Sequence, residues 1–359
     1  MNKQFLGLDW PLTLSLLAIL TFGLVAISSL IKGLFFQQLF NALVGLLFFF
    51  LFSRIDYHLY CRFKWWIFVG TIAFLISTFV FGIVTRGSMR WIKIFGLTLQ
   101  PSELIKPLIV VFFASFFQEF KKFSLFNLAK AFGLIALPVL LVFFQPDLGS
   151  SLVLLLSWVG IILAAGLSLK IGFAGLGFLL VVLPLGWKSL HLYQRQRLIS
   201  FFSPMADPLG AGYNLIQSVV AVGAGQFFGR GLGKGTQAQL MFLPERHSDF
   251  IFASIAEEFG FLGSLILICL IGFLLWRILE TARFSYDHLG FLISLGFFSL
   301  LASQIFINVG MNLGLLPITG ITLPLVSYGG SSLVATLISL GMISNIALQR
   351  KRQRVLEIK

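Results

Sequence analysis

The chain has 359 residues, of which 58% are hydrophobic and 15% aromatic, while only 11% are charged. A water-soluble fold of this size needs a polar exterior that so few charges do not supply, so lipid is the expected solvent for most of the surface. No nucleic acid is expected among the partners, and two cysteines, Cys61 and Cys269, offer neither a disulfide framework nor a metal cluster.

About ten apolar runs are long enough for a hydrocarbon core of ~30 Å. They fall near 11–31, 34–53, 66–84, 103–118, 128–145, 148–168, 170–186, 249–275, 289–313 and 323–348. Runs such as LLFFFLF are continuously apolar and lack the alternation of lipid-facing strands. The predicted fold is therefore all-α, a polytopic membrane protein forming a single domain over 1–359. One long extracytoplasmic loop, 187–248, is expected between the seventh and eighth helices. Lys3 precedes an apolar run too long for the core of a cleavable leader, so the first helix is expected to remain as an anchor.

Most Lys and Arg side chains, including the tail QRKRQR, fall where both termini are cytoplasmic. The exceptions concentrate in 85–102 and 187–248, an excess on the outer face that points to an anionic ligand there.

In chain order, RGSMRW brings Arg90 and Trp91 to the outer segment before the fourth helix, which opens with QPSELIK. Pro101 suits its first turn, and Glu103 and Lys106, three apart, share one face. They form either a structural ion pair or the wall of a polar substrate cleft beside Arg90 and Trp91. FFQPDLGSS places Asp147 in a tight outer turn as an expected helix cap. Within the long loop, GYNLIQSVVAVGAG predicts a short interfacial helix. The glycine-rich stretch after it, carrying Arg230 and Lys234, is either a plain linker or a place where backbone amides approach a phosphate, though its spacing is not that of a P-loop.

FLPERHSDF, 242–250, packs Glu245, Arg246, His247, Ser248 and Asp249 into one turn ahead of an apolar run. Ser248 or Asp249 is expected at the N-terminus of that helix, where Asp249 serves either as a cap or as a carboxylate able to take a proton from a hydroxyl. Glu257 and Glu258 lie ~12–14 Å further along at helical rise, too far for paired-carboxylate catalysis with Asp249, and are expected to be structural or pathway residues. GLLPITGITLPLVSYGGSS, 314–332, predicts broken backbone at membrane depth, which is tolerated where it lines a cavity.

RGSMRW, QPSELIK, QPDLGSS, YQRQR, DPLGAGYNLIQS, GRGLGKGTQAQLMFLPERHSDFIFASIAEEFG and LPLVSYGGSS together resemble, in order, the SEDS family of shape, elongation, division and sporulation proteins. The PERH form before the aspartate resembles the elongation branch, RodA, more than the division branch, and Ser248 stands where the family normally has Thr. The resemblance implies a peptidoglycan glycosyltransferase that polymerises lipid II at the outer face of the bacterial cytoplasmic membrane. It implies Asp249 as the essential carboxylate and Glu103 with Lys106 as an important pair. Arg90, Arg195, Arg197, Arg230, Lys234, Arg246 and His247 become candidates for the substrate site, the cations among them facing its pyrophosphate, with a divalent cation (Mg or Mn) as a possible aid. Implied partners are a class B penicillin-binding transpeptidase and other membrane proteins of the elongation complex. A lipid II flippase or other lipid transporter and a non-catalytic assembly scaffold are the competing readings.

Overall fold

The computed structural model describes residues 8–85, 88–94, 97–120, 125–167, 192–210 and 212–357. The expected seventh span, 170–186, lies outside them. The helices of the bundle are α1 (Trp10–Leu30), α2 (Lys32–Arg54), the short α3 (His58–Arg62), α4 (Lys64–Phe81), α5 (Pro101–Phe117), α6 (Leu125–Phe144) and α7 (Leu148–Ala164). The second half adds α8 (Leu192–Phe202), α9 (Tyr213–Ala224), α10 (Thr236–Gln239), α11 (Ile251–Arg283), α12 (His288–Asn312) and α13 (Gly330–Glu357). Seven of these are long and apolar enough to cross a membrane. At 17 residues each, α5 and α7 sit at the lower limit of that length.

Burial sorts the helices into layers. In α13, 89% of the apolar window is buried, against 22% in α2 and α6, so α13 runs through the middle and the other two face lipid. Around it, α13 packs on α2 and α5, α12 on α7, α5 and α11, and α11 on α1. The continuous apolar core includes Leu12, Ile19, Phe112, Phe113, Phe297, Leu337 and Ile343.

Basic segment 85–102 is more ordered than a loop. A three-stranded antiparallel sheet, β1 (Gly82–Thr85), β2 (Ser88–Ile94) and β3 (Leu97–Leu99), joins α4 to α5. Ile83 pairs with Trp91 and Ile92 with Leu99, a register that holds Arg90 on the central strand. The helical fold stands, with this small sheet as its one described addition.

The end of the bundle at the start of α12 is clamped by charge. Asp287 caps α12 by accepting from the Gly290 amide at 3.1 Å, and it also takes the Tyr57 hydroxyl at 2.5 Å and His58 Nε2 at 3.0 Å. Fully buried Asp9 receives Arg277 through two contacts of 3.0 and 2.8 Å, fastening the start of α1 to α11. Buried carboxylates persist when such geometry replaces their lost hydration.

At 33 residues, α11 would measure about 50 Å, more than a bilayer core requires. It is broken at Gly260, whose φ of 69° and ψ of −166° are not helical. The Phe261 and Leu262 amides, which an unbroken helix would direct to Glu257 and Glu258, donate to the carbonyls of Gln226 and Phe227 at 2.8 and 3.1 Å. In exchange, the Glu257 and Glu258 carbonyls accept from the Arg230 and Gly231 amides at 2.9 and 3.0 Å. Four backbone groups freed by the break are thus paired by one pass of the glycine-rich segment. The segment can come this close because Gly229 faces Gly260: a Cβ on Gly260 would fall 2.2 Å from the Gly229 nitrogen.

Replacing Gly260 by Ala combines that clash with a left-handed φ. The expected cost is about 1–3 kcal/mol, read as a fall of several degrees in the unfolding midpoint of the purified protein in detergent. A midpoint matching wild type would show that the break accommodates a side chain.

Candidate active site

The 242–250 segment folds back on itself. Glu245 adopts φ 53°, its carbonyl accepts from the Ser248 and Phe250 amides, and its carboxylate takes the Ser248 hydroxyl at 3.0 Å. Three consecutive carbonyls are then held from outside. His247 O accepts from the Tyr328 amide at 2.8 Å, Ser248 O from Ser327 Oγ at 2.6 Å, and Asp249 O from both Asn308 Nδ2 and Asn312 Nδ2 at 3.0 Å. The donors come from α12 and from the non-helical strap that precedes α13.

The expected cap is displaced by this arrangement. Helix α11 begins at Ile251, and its N-cap position is taken by Phe250, which has no capping side chain; Asp249 and Ser248 lie before it. Asn312 Oδ1 instead accepts from the Ala253 amide at 3.0 Å, so a neighbouring helix supplies the acceptor.

The half-buried Asp249 side chain turns toward the strap. A Cβ placed on Gly320 would lie 3.4 Å from Asp249 Oδ2 and 3.8 Å from Arg197 Nη1, so carboxylate and guanidinium converge on one glycine. Gly320 has φ +76°, which favours glycine independently of that crowding. Arg197 also donates to the Ile318 carbonyl at 3.2 Å. Beside it lies a cavity of about 50 Å³ lined by Arg90, Pro146, Leu148, Arg197, Leu198, Pro317, Ile318 and Thr319. Arg90 reaches it from β2, with Nε on the Gln145 carbonyl at 3.2 Å and Nη2 on that of Pro146.

Below the cavity, Asp147 caps α7 as expected, accepting from the Ser150 amide at 3.1 Å. Its second oxygen takes Ser102 Oγ at 3.0 Å and Gln100 Nε2 at 3.2 Å, tying α7 to the first turn of α5. One turn further along α5, Lys106 Nζ meets Glu103 Oε1 at 2.6 Å, both side chains buried. Ser150 Oγ approaches the same oxygen at 3.5 Å. Gln304, Thr336 and Ser339 line the small void of about 10 Å³ beside the pair, room for about one water.

The remaining candidates sit elsewhere or face differently. Arg246 is buried, and its guanidinium points at the Leu30 carbonyl at the end of α1, 3.4 Å away. Burial pushes it below the ordinary arginine range. His247 lies against Tyr328, with ring centroids 5.4 Å apart. Trp91 is half-buried on β2 and does not line the Arg90 cavity. Arg195 precedes Arg197 by two on α8, a spacing that directs the two side chains to different faces. Arg230 and Lys234 belong to the glycine-rich segment, with Arg230 Nε on the Ala224 carbonyl at 3.1 Å. That segment is organised by acids: Glu257 accepts from the amides of Gln237 and Ala238 at 2.8 and 3.0 Å, and Glu258 from Ser29 Oγ at 2.5 Å and the Gly233 amide at 3.1 Å. Both acids therefore fit the structural reading.

Asn308, Asn312, Gly320 and Ser327 were not among the sequence candidates. The two asparagines carried a readable signal, since NVGMN spaces a polar pair four apart within an apolar helix. Among the described residues there is no group of three or more His, Cys, Asp or Glu side chains that could hold a metal ion.

The family model FTSW_RODA_SPOVE, cell cycle protein, matches residues 6–352. The chain is 37% identical over 351 residues to peptidoglycan glycosyltransferase MrdB of Escherichia coli (strain K12), covering 96% of this chain and 94% of that protein. It is 35% identical to stage V sporulation protein E of Bacillus subtilis (strain 168), with 94% and 96% covered. Among solved structures, a chain of a peptidoglycan synthase complex studied for its coordination of polymerization and crosslinking superposes with a TM-score of 0.84 at 32% identity, covering 96% of this chain and 99% of that one. The rod shape determining protein RodA of Thermus thermophilus gives 0.74 at 28%, with 98% and 99% covered.

Because Glu103 and Lys106 neutralise one another where water is scarce, Glu103→Ala is expected to cost about 3–5 kcal/mol by stranding the ammonium group. Adding Lys106→Met should restore most of it. Unfolding midpoints of the two variants in detergent check this, and a single variant as stable as wild type would show that Lys106 has another partner.

Proposed function

The chain belongs to the FtsW, RodA and SpoVE family of cell cycle proteins, and from that premise we propose that it is a RodA-type peptidoglycan glycosyltransferase that polymerises lipid II during cell elongation. The observation that carries the chemistry is the meeting of the Asp249 carboxylate and the Arg197 guanidinium at Gly320, next to the cavity that Arg90 shares. Glycan extension needs a base for the attacking hydroxyl and positive charge for a departing pyrophosphate. These side chains supply both.

Asp249 takes the proton from the acceptor sugar's 4-hydroxyl as its oxygen forms a bond to the donor's anomeric carbon. The bond from that carbon to the pyrophosphate breaks, and the leaving group departs with its electron pair toward Arg90 and Arg197. Inversion at an α-linked donor yields a β-linked glycan. Pyrophosphate is a good leaving group without protonation, so one carboxylate suffices and no second acid is needed.

The protein is a multi-pass membrane protein; both termini are proposed to be cytoplasmic and the Asp249 cavity extracytoplasmic, where lipid II is polymerised. A class B penicillin-binding transpeptidase and other membrane proteins of the elongation complex are the proposed partners. The similarity to a chain from a complex in which polymerization and crosslinking are coordinated supports the first of these.

Asp249→Asn is nearly isosteric and cannot act as a base, so it should fold normally and lose lipid II polymerisation by roughly 10²- to 10⁴-fold. Gel analysis of glycan strands made by purified protein in detergent reads this directly, and it also separates polymerase from flippase, since a detergent micelle offers no second leaflet. Wild-type rates from the well-folded variant would sink the assignment.

For Arg197, replacement by Ala should raise the lipid II concentration needed for half-maximal rate, with Lys retaining part of the effect. Unchanged kinetics at normal yield would remove it from the site.

A further inference from the structure

The carboxylate proposed as the base stands on a turn rather than on a helix, and a turn holds an atom in place only if its backbone is held. Two fully buried carboxamides on one face of α12 do that. Asn308 Nδ2 donates to two carbonyls at once, Asp249 O at 3.0 Å and Ile321 O at 2.7 Å. Asn312 Nδ2 donates to the same Asp249 carbonyl at 3.0 Å and to Asn308 O at 2.8 Å, while its oxygen accepts from the Ala253 amide at the start of α11.

The pair of acceptors chosen by Asn308 is informative. Asp249 bears the carboxylate, and Ile321 directly follows Gly320, the residue against which that carboxylate and Arg197 meet. One amide group therefore fastens together the two backbone segments that form opposite walls of the reactive position. A buried amide with two good acceptors has no competing geometry, whereas loss of its donors would take from the Ile321 carbonyl its Asn308 partner and leave the Asp249 carbonyl to Asn312 alone, cutting the link between the two segments.

We propose that Asn308 is a positioning residue for the Asp249 carboxylate, setting its distance from the Gly320 strap and Arg197, with Asn312 fixing the start of α11 behind it; this rests on the reading of Asp249 as the base. Asn308 touches neither the carboxylate oxygens nor, in this role, the substrate. It acts on turnover through geometry, and a displacement of about 1 Å at a reacting group is enough to cost 10²-fold.

The test compares Asn308→Leu, which keeps the volume and removes both donors, with Asn308→Gln, which keeps an amide on a longer arm. Full-length proteins in detergent are assayed for lipid II polymerisation, and deuterium uptake of the 242–253 peptide is followed by mass spectrometry. Expected for Asn308→Leu is a kcat lowered about 10- to 100-fold with KM within about 2-fold of wild type, and faster uptake in 242–253. Partial recovery of kcat in Asn308→Gln supports the donor as the cause. Wild-type kcat in Asn308→Leu, or a change confined to KM, overturns the proposal. So does loss of kcat that Asn308→Gln fails to recover although its uptake in 242–253 is that of wild type. Should Asn308→Leu fail to fold, Asn308→Ala, which also removes both donors, takes its place, and wild-type uptake with wild-type kcat in that variant overturns the proposal. If wild-type protein makes no glycan, the proposed activity fails on its own, and uptake alone decides whether Asn308 holds the turn.

Discussion

Hydrocarbon offers no hydrogen bonds, so a carbonyl or amide released from a helix inside a membrane protein needs a partner from the same chain. That constraint shapes the region around Asp249. Three successive carbonyls, from His247 to Asp249, are each met by a donor from α12 or from the strap before α13. Where α11 breaks at Gly260, the glycine-rich segment takes up all four backbone groups that the broken turn releases. At the end of α1, the Leu30 carbonyl receives the Arg246 guanidinium. Irregular backbone survives at these places because long-range partners replace the helical ladder.

The same rule divides the charges by task. Glu257 and Glu258 are occupied with amides and hydroxyls of the glycine-rich segment, and Arg246 with α1, so these groups stabilise the frame. Asp9 with Arg277, and Asp287 with Tyr57 and His58, fasten the end where α12 begins. Arg90 and Arg197 differ in that both line a cavity, and that cavity adjoins the strap against which Asp249 is turned. A polar path continues inward through Asp147, Ser102 and Ser150 to Glu103 and Lys106. Such a path gives the buried pair a mechanical connection to the cavity without making it a wall of the cavity.

Glycine in this chain serves approach more than flexibility. The segment 225–235 was open to two readings, linker or phosphate cradle, and its amides at Arg230, Gly231 and Gly233 are spent on Glu257 O, Glu258 O and a Glu258 carboxylate oxygen. Amides engaged in this way hold a broken helix together.

Hydropathy alone determined that the chain is a helical membrane bundle, because about 20 consecutive apolar residues have no other stable form in lipid. Local sequence also placed most helix ends to within a few residues, since Pro101 and Asp147 act through neighbours close in the chain. Local pattern likewise marked FLPERHSDF as a place where charge needs a reason, and the pairing of Glu103 with Lys106 followed from their spacing. What no local pattern specified was which of the candidate cations share a cavity, that Asn312 rather than Asp249 supplies the acceptor at the start of α11, or that Asn308 joins Asp249 to Ile321. Such contacts link residues far apart in the chain; Arg197 and Ile318, for one, are 121 positions apart. Only the packing of α12 and the strap against α8 and α11 brings them within hydrogen-bonding distance, and a sequence period reports on the face of one helix, never on which other helix that face will meet.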